Sequence, residues 1–514
     1  MADTVREIER KYEGQGAKPA RLPDLSRVAA TVTHQGTQRL DAVYYDTKDR
    51  RLTDAHITLR RRTGGNDAGW HLKLPVGPGE RDEIRAPLTP AVPRELTDLV
   101  RARIRHAELA PIVRIVSRRT VHHLLDDDGT LLAEASEDAV TADRLTRDGR
   151  SARWTEVEVE LGEGADPAFL DTVERRLRKA GLRPSKAPSK LVRALAETDP
   201  APRGAKDGKA KDGKAKKPTA PTAGDHVLAY VREQTDALLA LDPAVRGRAE
   251  DSVHQMRVAT RRLRSAFRTY GKVLDRKATD PVGAELKWLA TELGVDRDRE
   301  VLAERLVDRL AEVDGTLVLG PVAARLRVAA AGRRKGSRKR LAALLDSDRY
   351  LTLLDTLDAL LADPPLRPAA ARPPREVLAR AVLRDYGRLA SRVEHALATG
   401  PGPERDAVLH DARKAAKRAR YAAEAARPAL GKPAKRFAAR MKSVQTLLGD
   451  HQDSVMARAA LRTLAAQAHA AGESTFTLGL LYGREERRAA DDERELPELW
   501  RKASRKRHRE ALLR

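Results

Sequence analysis

Three charged residues open the chain at a spacing of two: Glu7, Glu9 and Lys11. A period of two sets all three on one side of a β-strand. The same parity recurs at Arg60 and Arg62, at His71 and Lys73, at Arg114 and Arg118, at Glu134, Ser136 and Asp138, and at Glu156, Glu158 and Glu160. Carboxylates hold hard divalent cations through oxygen. Guanidinium and ammonium groups hold phosphate oxygens. Strips of both kinds turned to a common interior describe a site for a metal-bound phosphate chain. The competing arrangement is an ordinary sheet, with the charges in water and Val157 and Val159 in the core. The number of strips, beginning with Glu-x-Glu-x-Lys, favours the interior, which must then be filled by water, metal or ligand.

A second constellation lies beyond residue 225. His254, Arg257, Arg261 and Arg264 fall within an arc of roughly 80° when a helix turns about 100° per residue. His410, Arg413, Lys417 and Arg420 repeat those offsets, with Lys414 beside them. A solvated face would carry opposite charges at i, i+4, and these stripes carry none among their main members. A groove for a polyanion accounts for them better, because a phosphate chain neutralises cations that otherwise repel.

The elements that position these residues differ between the two halves. Short alternating runs at 5–12, 40–45, 57–62, 69–75, 82–88, 113–125, 130–135 and 154–161 read as strands, with helices at about 95–108 and 167–180. Eight such strands predict a closed antiparallel barrel. Residues 199–224, rich in Pro, Gly, Ala and Lys, hold no apolar residue larger than Ala and read as a flexible basic linker. Helical periodicity then runs to the end, interrupted by the Pro-rich stretch 363–374 and by a short break between helices at 433–448 and 451–471. Its two sides repeat: His254 to His410 is 156 residues and Gly294 to Gly449 is 155. The expected organisation is α+β and multidomain: a barrel over 1–198, the linker, and a helical domain over 225–514 built from repeats at about 225–362 and 375–514, each a bundle.

Composition narrows the chemistry. The chain has 514 residues, 99 Lys+Arg against 75 Asp+Glu, and a net charge of +24. Acids and bases nearly balance up to residue 200, so the surplus lies beyond it and suits polyanions. Aromatic residues are only 3%, too few for the stacking platforms of single-strand nucleic-acid binders, so nucleic acid is disfavoured. The absence of Cys excludes disulfides and thiolate chemistry. No apolar run approaches the roughly 20 residues of a membrane span, and residues 1–11 lack the apolar core of a secretory signal. The expected location is the cytoplasm.

The order Glu7-x-Glu9-x-Lys11, Leu59-Arg60-Arg61-Arg62, Trp70-His71-Leu72-Lys73, Arg118, Asp138 and Glu156-x-Glu158 resembles the CYTH, or triphosphate tunnel metalloenzyme, family. That resemblance implies an eight-stranded tunnel. Arg60, Arg62, Lys73, Arg114 and Arg118 would bind substrate phosphates. Glu7, Glu9, Asp138, Glu156 and Glu158 would hold Mg2+ or Mn2+, with Glu7, Glu9 and Lys11 at the catalytic centre. Arg85 departs from the family, many of whose members place an acidic residue there. Residues 225–514 resemble the conserved histidine α-helical domain, CHAD, through His254-x-x-Arg257, Arg261-Arg262, His410-x-x-Arg413-Lys414, Lys417-Arg418-x-Arg420-Tyr421 and two LG-x-x-x-D segments. That resemblance implies inorganic polyphosphate as the ligand of His254, Arg257, Arg261, Arg264, His410, Arg413, Lys414, Lys417 and Arg420. The expected activity is metal-dependent hydrolysis of inorganic triphosphate or polyphosphate ends. The alternative is a non-catalytic polyphosphate-binding or granule-targeting protein.

Overall fold

A computed structural model describes residues 3–15, 18–77, 79–146, 149–199, 220–247, 249–331 and 334–514. The chain divides into two compact units, Met1–Lys214 and Ala215–Arg514. Most of the expected linker, residues 200–219, lies outside the described residues.

The first unit contains β1 (Asp3–Gly14), β2 (Thr31–Asp46), β3 (Thr58–Thr63), β4 (Gly69–Gly77), β5 (Glu80–Ala86), β6 (Ala110–Leu125), β7 (Leu131–Arg144), β8 (Ser151–Leu161) and β9 (Leu182–Pro184). Its helices are α1 (Arg51–Asp54), α2 (Arg94–Leu99), α3 (Arg101–Ile104), α4 (Ala168–Lys179) and α5 (Lys190–Thr198). The sheet order is β5-β4-β3-β2-β6-β7-β8-β1-β9, and β5 also pairs with β1. Eight antiparallel strands therefore close into a barrel, and β9 is added on β1. The strands β2 and β7 extend well beyond the runs 40–45 and 130–135 read from alternation.

Closure decides which side of each strand is wet. Val157 and Val159 face outward, into a core shared with Leu170, Val173 and Leu177 of α4. Leu59, Trp70, Leu72 and Ile84 pack under Leu96 of α2, Ile104 of α3 and Val100 between the two helices. The apolar faces are thus buried outside the barrel, beneath helices, and the charged strips turn inward. At one end the interior becomes apolar. Leu191, Ala194 and Leu195 of α5 pack there on Tyr44, Val113, Ile115, Val140 and Trp154. Burying Leu191 and Leu195 stabilises α5 in that position by about 1.5–3 kcal/mol each. The side chain of Ser189 accepts a hydrogen bond from Val192 N at 3.2 Å, which caps the helix and makes Lys190 its first residue.

The second unit is helical: α6 (Ala223–Gly247), α7 (Ser252–Thr269), α8 (Arg276–Glu292), α9 (Gly294–Ala311), α10 (Val322–Ala331), α11 (Arg334–Asp346), α12 (Asp348–Ala362), α13 (Pro374–Ala398), α14 (Pro403–Ala425), α15 (Arg427–Leu430), α16 (Lys432–Ala470), α17 (Phe476–Ala503) and α18 (Lys506–Leu513). Periodicity suggested a break near 449, yet α16 runs through Gly449 without one. Its apolar stripe carries Leu461 and Ala468 into a core with Leu306, Leu326, Leu478 and Leu481, and packing along both sides outweighs the helix cost of one glycine, about 1 kcal/mol. No helix among the described residues is long and apolar enough to cross a membrane.

Candidate functional site

The barrel encloses a cavity of about 330 Å³. Glu7, Glu9 and Lys11 of β1, Arg60 and Arg62 of β3, Lys73 of β4, Glu83 and Arg85 of β5, Arg119 of β6, Glu134 of β7, and Glu158 and Glu160 of β8 line it, with Lys190 from α5. The period of two on β1, β3 and β8 thus turns each charged strip into one interior.

Basic groups cluster around β3. Lys73 meets Glu7, and lies 3.5 Å from Glu83. Arg60 lies 3.6 Å from Glu83 and its Nη1 donates to the Tyr44 hydroxyl at 3.4 Å. The Nε atoms of Arg60 and Arg62 are buried with no hydrogen-bond partner among the described residues. Burial and the neighbouring charges of Arg60 and Arg119 disfavour the Arg62 cation, and Asp67, from the β3–β4 turn, sits against it. An anion entering here would satisfy donors that the protein leaves free.

The carboxylates fall into two groups. In the first, Asp138, Glu156 and Glu158 bring ligand atoms within 4.8 Å of one another. Lys190 Nζ stands among them, 2.9 Å from Asp138, 2.7 Å from Glu156 and 2.6 Å from Glu158. Arg119 grips Asp138 through two bonds of 2.9 and 2.7 Å and also meets Glu158. Lys11 bridges Glu158 and Glu9, the latter at 3.0 Å. Burial alone would raise the Glu158 carboxyl; Lys11, Lys190 and Arg119 hold it well below the usual range.

The second group is a row. Glu160 pairs in register with Glu134 on one side and with Glu9 on the other, and Glu7 is the next inward residue of β1. Burial, followed by the negative charge of Glu7, with Glu9 and Glu134 adding to it, pushes Glu160 up to about 7. Burial would also raise Glu9, but Lys11, Lys73 and Arg81 hold it at about 2. A row of carboxylates that repel one another fits a divalent cation, which would relieve the repulsion.

Two expected positions need correction. Arg114 is exposed on the outer face and pairs with Asp41 at 2.9 Å. Arg118 is also exposed on that face. The interior parity of β6 is that of Ser117, Arg119 and Val121, so Arg119 is the inward cation; adjacent basic residues left both parities open. Glu156, expected as a metal ligand, belongs to the trio with Asp138 and Glu158 and, like Asp138, is not among the residues that line the cavity. It accepts a 2.6 Å bond from Trp154 Nε1 and faces Lys190. Its place on the cavity wall belongs to Glu160. Lys190 was missed because nothing local marks it; a Ser-capped apolar helix after the last strand was the available signal.

In the helical unit, α7 and α14 pack against each other. This sets Arg257 and Arg261 near Arg413 and Lys417. Burial and the charges of Arg413, Arg261 and Arg257 push the Lys417 amine down to about 7, with Asp453 opposing. His254 and His410 are half-buried on their helices, and burial with Lys414 and Arg413 favours neutral His410. Arg264 is half-buried, and burial with Arg268 and Arg261 disfavours its charge. The ends of the stripe differ: Lys414 is exposed and donates to Asp411 at 3.0 Å, while Arg420 is held by Glu424 at 2.6 Å and Gln445 at 3.2 Å. A basic groove of about 720 Å³ also runs between α13 and α14, lined by Arg384, Arg388, Arg392 and His395. Their spacing along residues 375–398 was visible as one helical face and was not singled out.

Comparison with known proteins matches the CYTH domain to residues 5–194 and the CHAD domain to residues 229–462. Uncharacterised proteins from two strains of Mycobacterium tuberculosis are each 40% identical to this chain over 498 residues, covering 93% of it and 92% of their own length. Among solved structures, PptA from Streptomyces chartreusis aligns with 55% of this chain and all of its own, at 23% identity and a TM-score of 0.47. The CHAD domain from the plant Ricinus communis aligns with 55% of this chain and 92% of its own, at 24% identity and a TM-score of 0.44.

Proposed function

The chain belongs to the proteins that join a CYTH domain to a CHAD domain, and on that premise we propose that its tunnel hydrolyses the terminal phosphoryl of inorganic triphosphate or of polyphosphate ends while its helical unit binds polyphosphate. The observation that carries this reading is the division of one cavity into a basic wall with unsatisfied guanidinium donors and a carboxylate row whose Glu160 makes no ion pair among the described residues.

Arg60, Arg62 and Lys73 grip the phosphate chain, and Arg85 and Lys11 add charge beside it. Asp67 yields Arg62 to the entering phosphate, exchanging one anion for another. Glu7, Glu9 and Glu160, with Glu134 beside them, would hold Mg2+ or Mn2+. When bound, that ion supplies charge stabilisation to the transferring phosphoryl and acidifies water. A carboxylate of the same row orients the attacking water, which adds to the terminal phosphorus as the P–O bond to the rest of the chain breaks. The leaving phosphate takes the electron pair, and the products are orthophosphate and the shortened chain. α5 closes one end of the barrel and leaves substrate only one approach, so positioning supplies most of the rate. In the helical unit, Arg257, Arg261, Arg413 and Lys417 face a common polyanion.

The test is phosphate release from tripolyphosphate, ATP and thiamine triphosphate with Mg2+ or Mn2+. The double variant Glu7→Gln with Glu9→Gln is expected to abolish release and leave long-chain polyphosphate binding intact. Retained metal-dependent turnover in that variant removes these residues from the mechanism. Polyphosphate binding with no turnover in the unaltered chain would favour the non-catalytic alternative.

A further inference from the structure

We propose that Lys190 occupies the position of a second divalent cation, so that the tunnel takes metal only at the row of Glu7, Glu9 and Glu160. The proposal rests on the metal-dependent reading above and limits where the ion can go.

The ammonium of Lys190 has three N–H donors and three carboxylate partners, Asp138 at 2.9 Å, Glu156 at 2.7 Å and Glu158 at 2.6 Å. Each donor has its own acceptor. Three carboxylates here meet three cations, because Arg119 holds Asp138 and Glu158, and Lys11 holds Glu158. No negative charge is left over to attract a dication. Nor is Lys190 free to swing away. It begins α5 directly after the Ser189 cap, and Leu191, next to it, is buried in the apolar end of the barrel. A metal ion entering this trio would have to expel an ammonium anchored by a packed helix. In the row, Lys73 meets Glu7 and Lys11 lies 3.0 Å from Glu9, but no cation stands among three of its carboxylates as Lys190 does in the trio, and Glu160 makes no ion pair among the described residues. The trio of acids that sequence spacing offers for metal is therefore already filled by the chain itself, with a charge that stays in place when the product leaves.

Mn2+ binding to the full chain separates this from a two-metal tunnel. Free Mn2+ is followed by electron paramagnetic resonance during titration of the unaltered chain, Asp138→Asn, Lys190→Met and the double variant. Counts are compared between variants, so ions held elsewhere cancel. Asp138→Asn is expected to bind as many Mn2+ as the unaltered chain, with affinity changed less than about twofold. Lys190→Met is expected to gain one Mn2+, and adding Asp138→Asn is expected to remove it. The proposal is overturned if Asp138→Asn alone costs one Mn2+, or if folded Lys190→Met gains none. Should Lys190→Met fail to fold, the Asp138→Asn arm decides by itself. A chain that binds no Mn2+ until Lys190 is replaced would support the assignment of Lys190 and sink the metal-dependent reading of the row.

Discussion

The Arg257 guanidinium lies so close to Gly294 that a Cβ on that glycine would sit 2.7 Å from Nη2. Arg413 and Gly449 repeat the relationship with the corresponding distance at 3.4 Å. Each LG-x-x-x-D segment therefore places a glycine beneath the first arginine of a basic stripe. The duplication read from sequence spacing acquires a physical role: the missing side chain makes room for a cation.

Gly294→Ala should displace the end of the Arg257 side chain without disturbing backbone. Alanine favours a helix over glycine by about 1 kcal/mol, so the melting temperature should not fall. Long-chain polyphosphate should bind roughly tenfold more weakly or worse, the cost of about one charge-assisted hydrogen bond at 1.5–3 kcal/mol. Gly449→Ala, with its looser contact, should lose less. Titration with a length-defined polyphosphate, beside a thermal melt, reads both; unchanged affinity in Gly294→Ala would separate this contact from binding.

Arg118 and Arg119 are neighbours in sequence and stand on opposite sides of the barrel wall. Arg118→Ala should change stability by no more than about 0.5 kcal/mol, as for other surface positions, and leave the KM for tripolyphosphate unchanged. Arg119→Ala leaves Asp138 and Glu158 short of a buried partner. A loss of about 3–5 kcal/mol is expected, read by denaturant unfolding of the first transition. Equal behaviour of the two variants would contradict the inward parity assigned to β6.

The Glu160 carboxyl has an ordinary value of 4.5 and is pushed up to about 7 in the fold. Between those values the folded chain binds a proton that the unfolded chain releases, so folded stability falls as pH rises through this window. Glu160→Gln should flatten that slope. Mn2+ should restore stability at the upper end in the unaltered chain and do so less in the variant. Turnover should decline as pH drops below about 7, where Glu160 is protonated. Melting temperatures across the window, with and without Mn2+, are the measurement, and parallel slopes in both proteins would count against a repelling row.

Lys417 behaves in the opposite sense. Its amine, ordinarily at 10.5, is held at about 7 by burial and by Arg413, Arg261 and Arg257, against Asp453. Lowering the pH through about 7 charges it, so polyphosphate binding should tighten. Lys417→Met should show a shallower dependence, with His410 carrying the remainder. The comparison is made at constant ionic strength, because screening alters ionic contacts independently of protonation. A slope unaltered by Lys417→Met would place the titrating group elsewhere.

Much of the architecture was legible because it is local. Alternation at Glu7, Glu9 and Lys11, at Arg60 and Arg62, and at Glu158 and Glu160 states that each set shares a face of its strand. The helical period of the second half states the same for Arg257, Arg261 and Arg264. The break expected near 449 was not realised, since α16 gains more from continuous packing than one glycine costs. The helix expected over 95–108 formed instead as α2 and α3, short pieces whose Leu96 and Ile104, with Val100 between them, cover the barrel wall.

Which face is interior is a different kind of fact. Alternation is symmetric: the pattern that turns Glu158 inward would serve equally to put Val157 and Val159 in a core and the acids in water. Closure of β5 on β1, together with the helices that cover the valines, breaks that symmetry. Adjacent Arg118 and Arg119 satisfy either parity, so only the registry of β6 with its neighbours chooses between them. The partition of the acids is further still from the sequence. Asp138 and Glu158 are paired with Lys190, the first residue of a helix that folds back after β9, because the apolar side of α5 is buried inside the barrel. Residue types and periods determine what each strip can do. Long-range closure and the return of α5 decide that Asp138, Glu156 and Glu158 share Lys190 while Glu160 faces the cavity without an ion pair among the described residues.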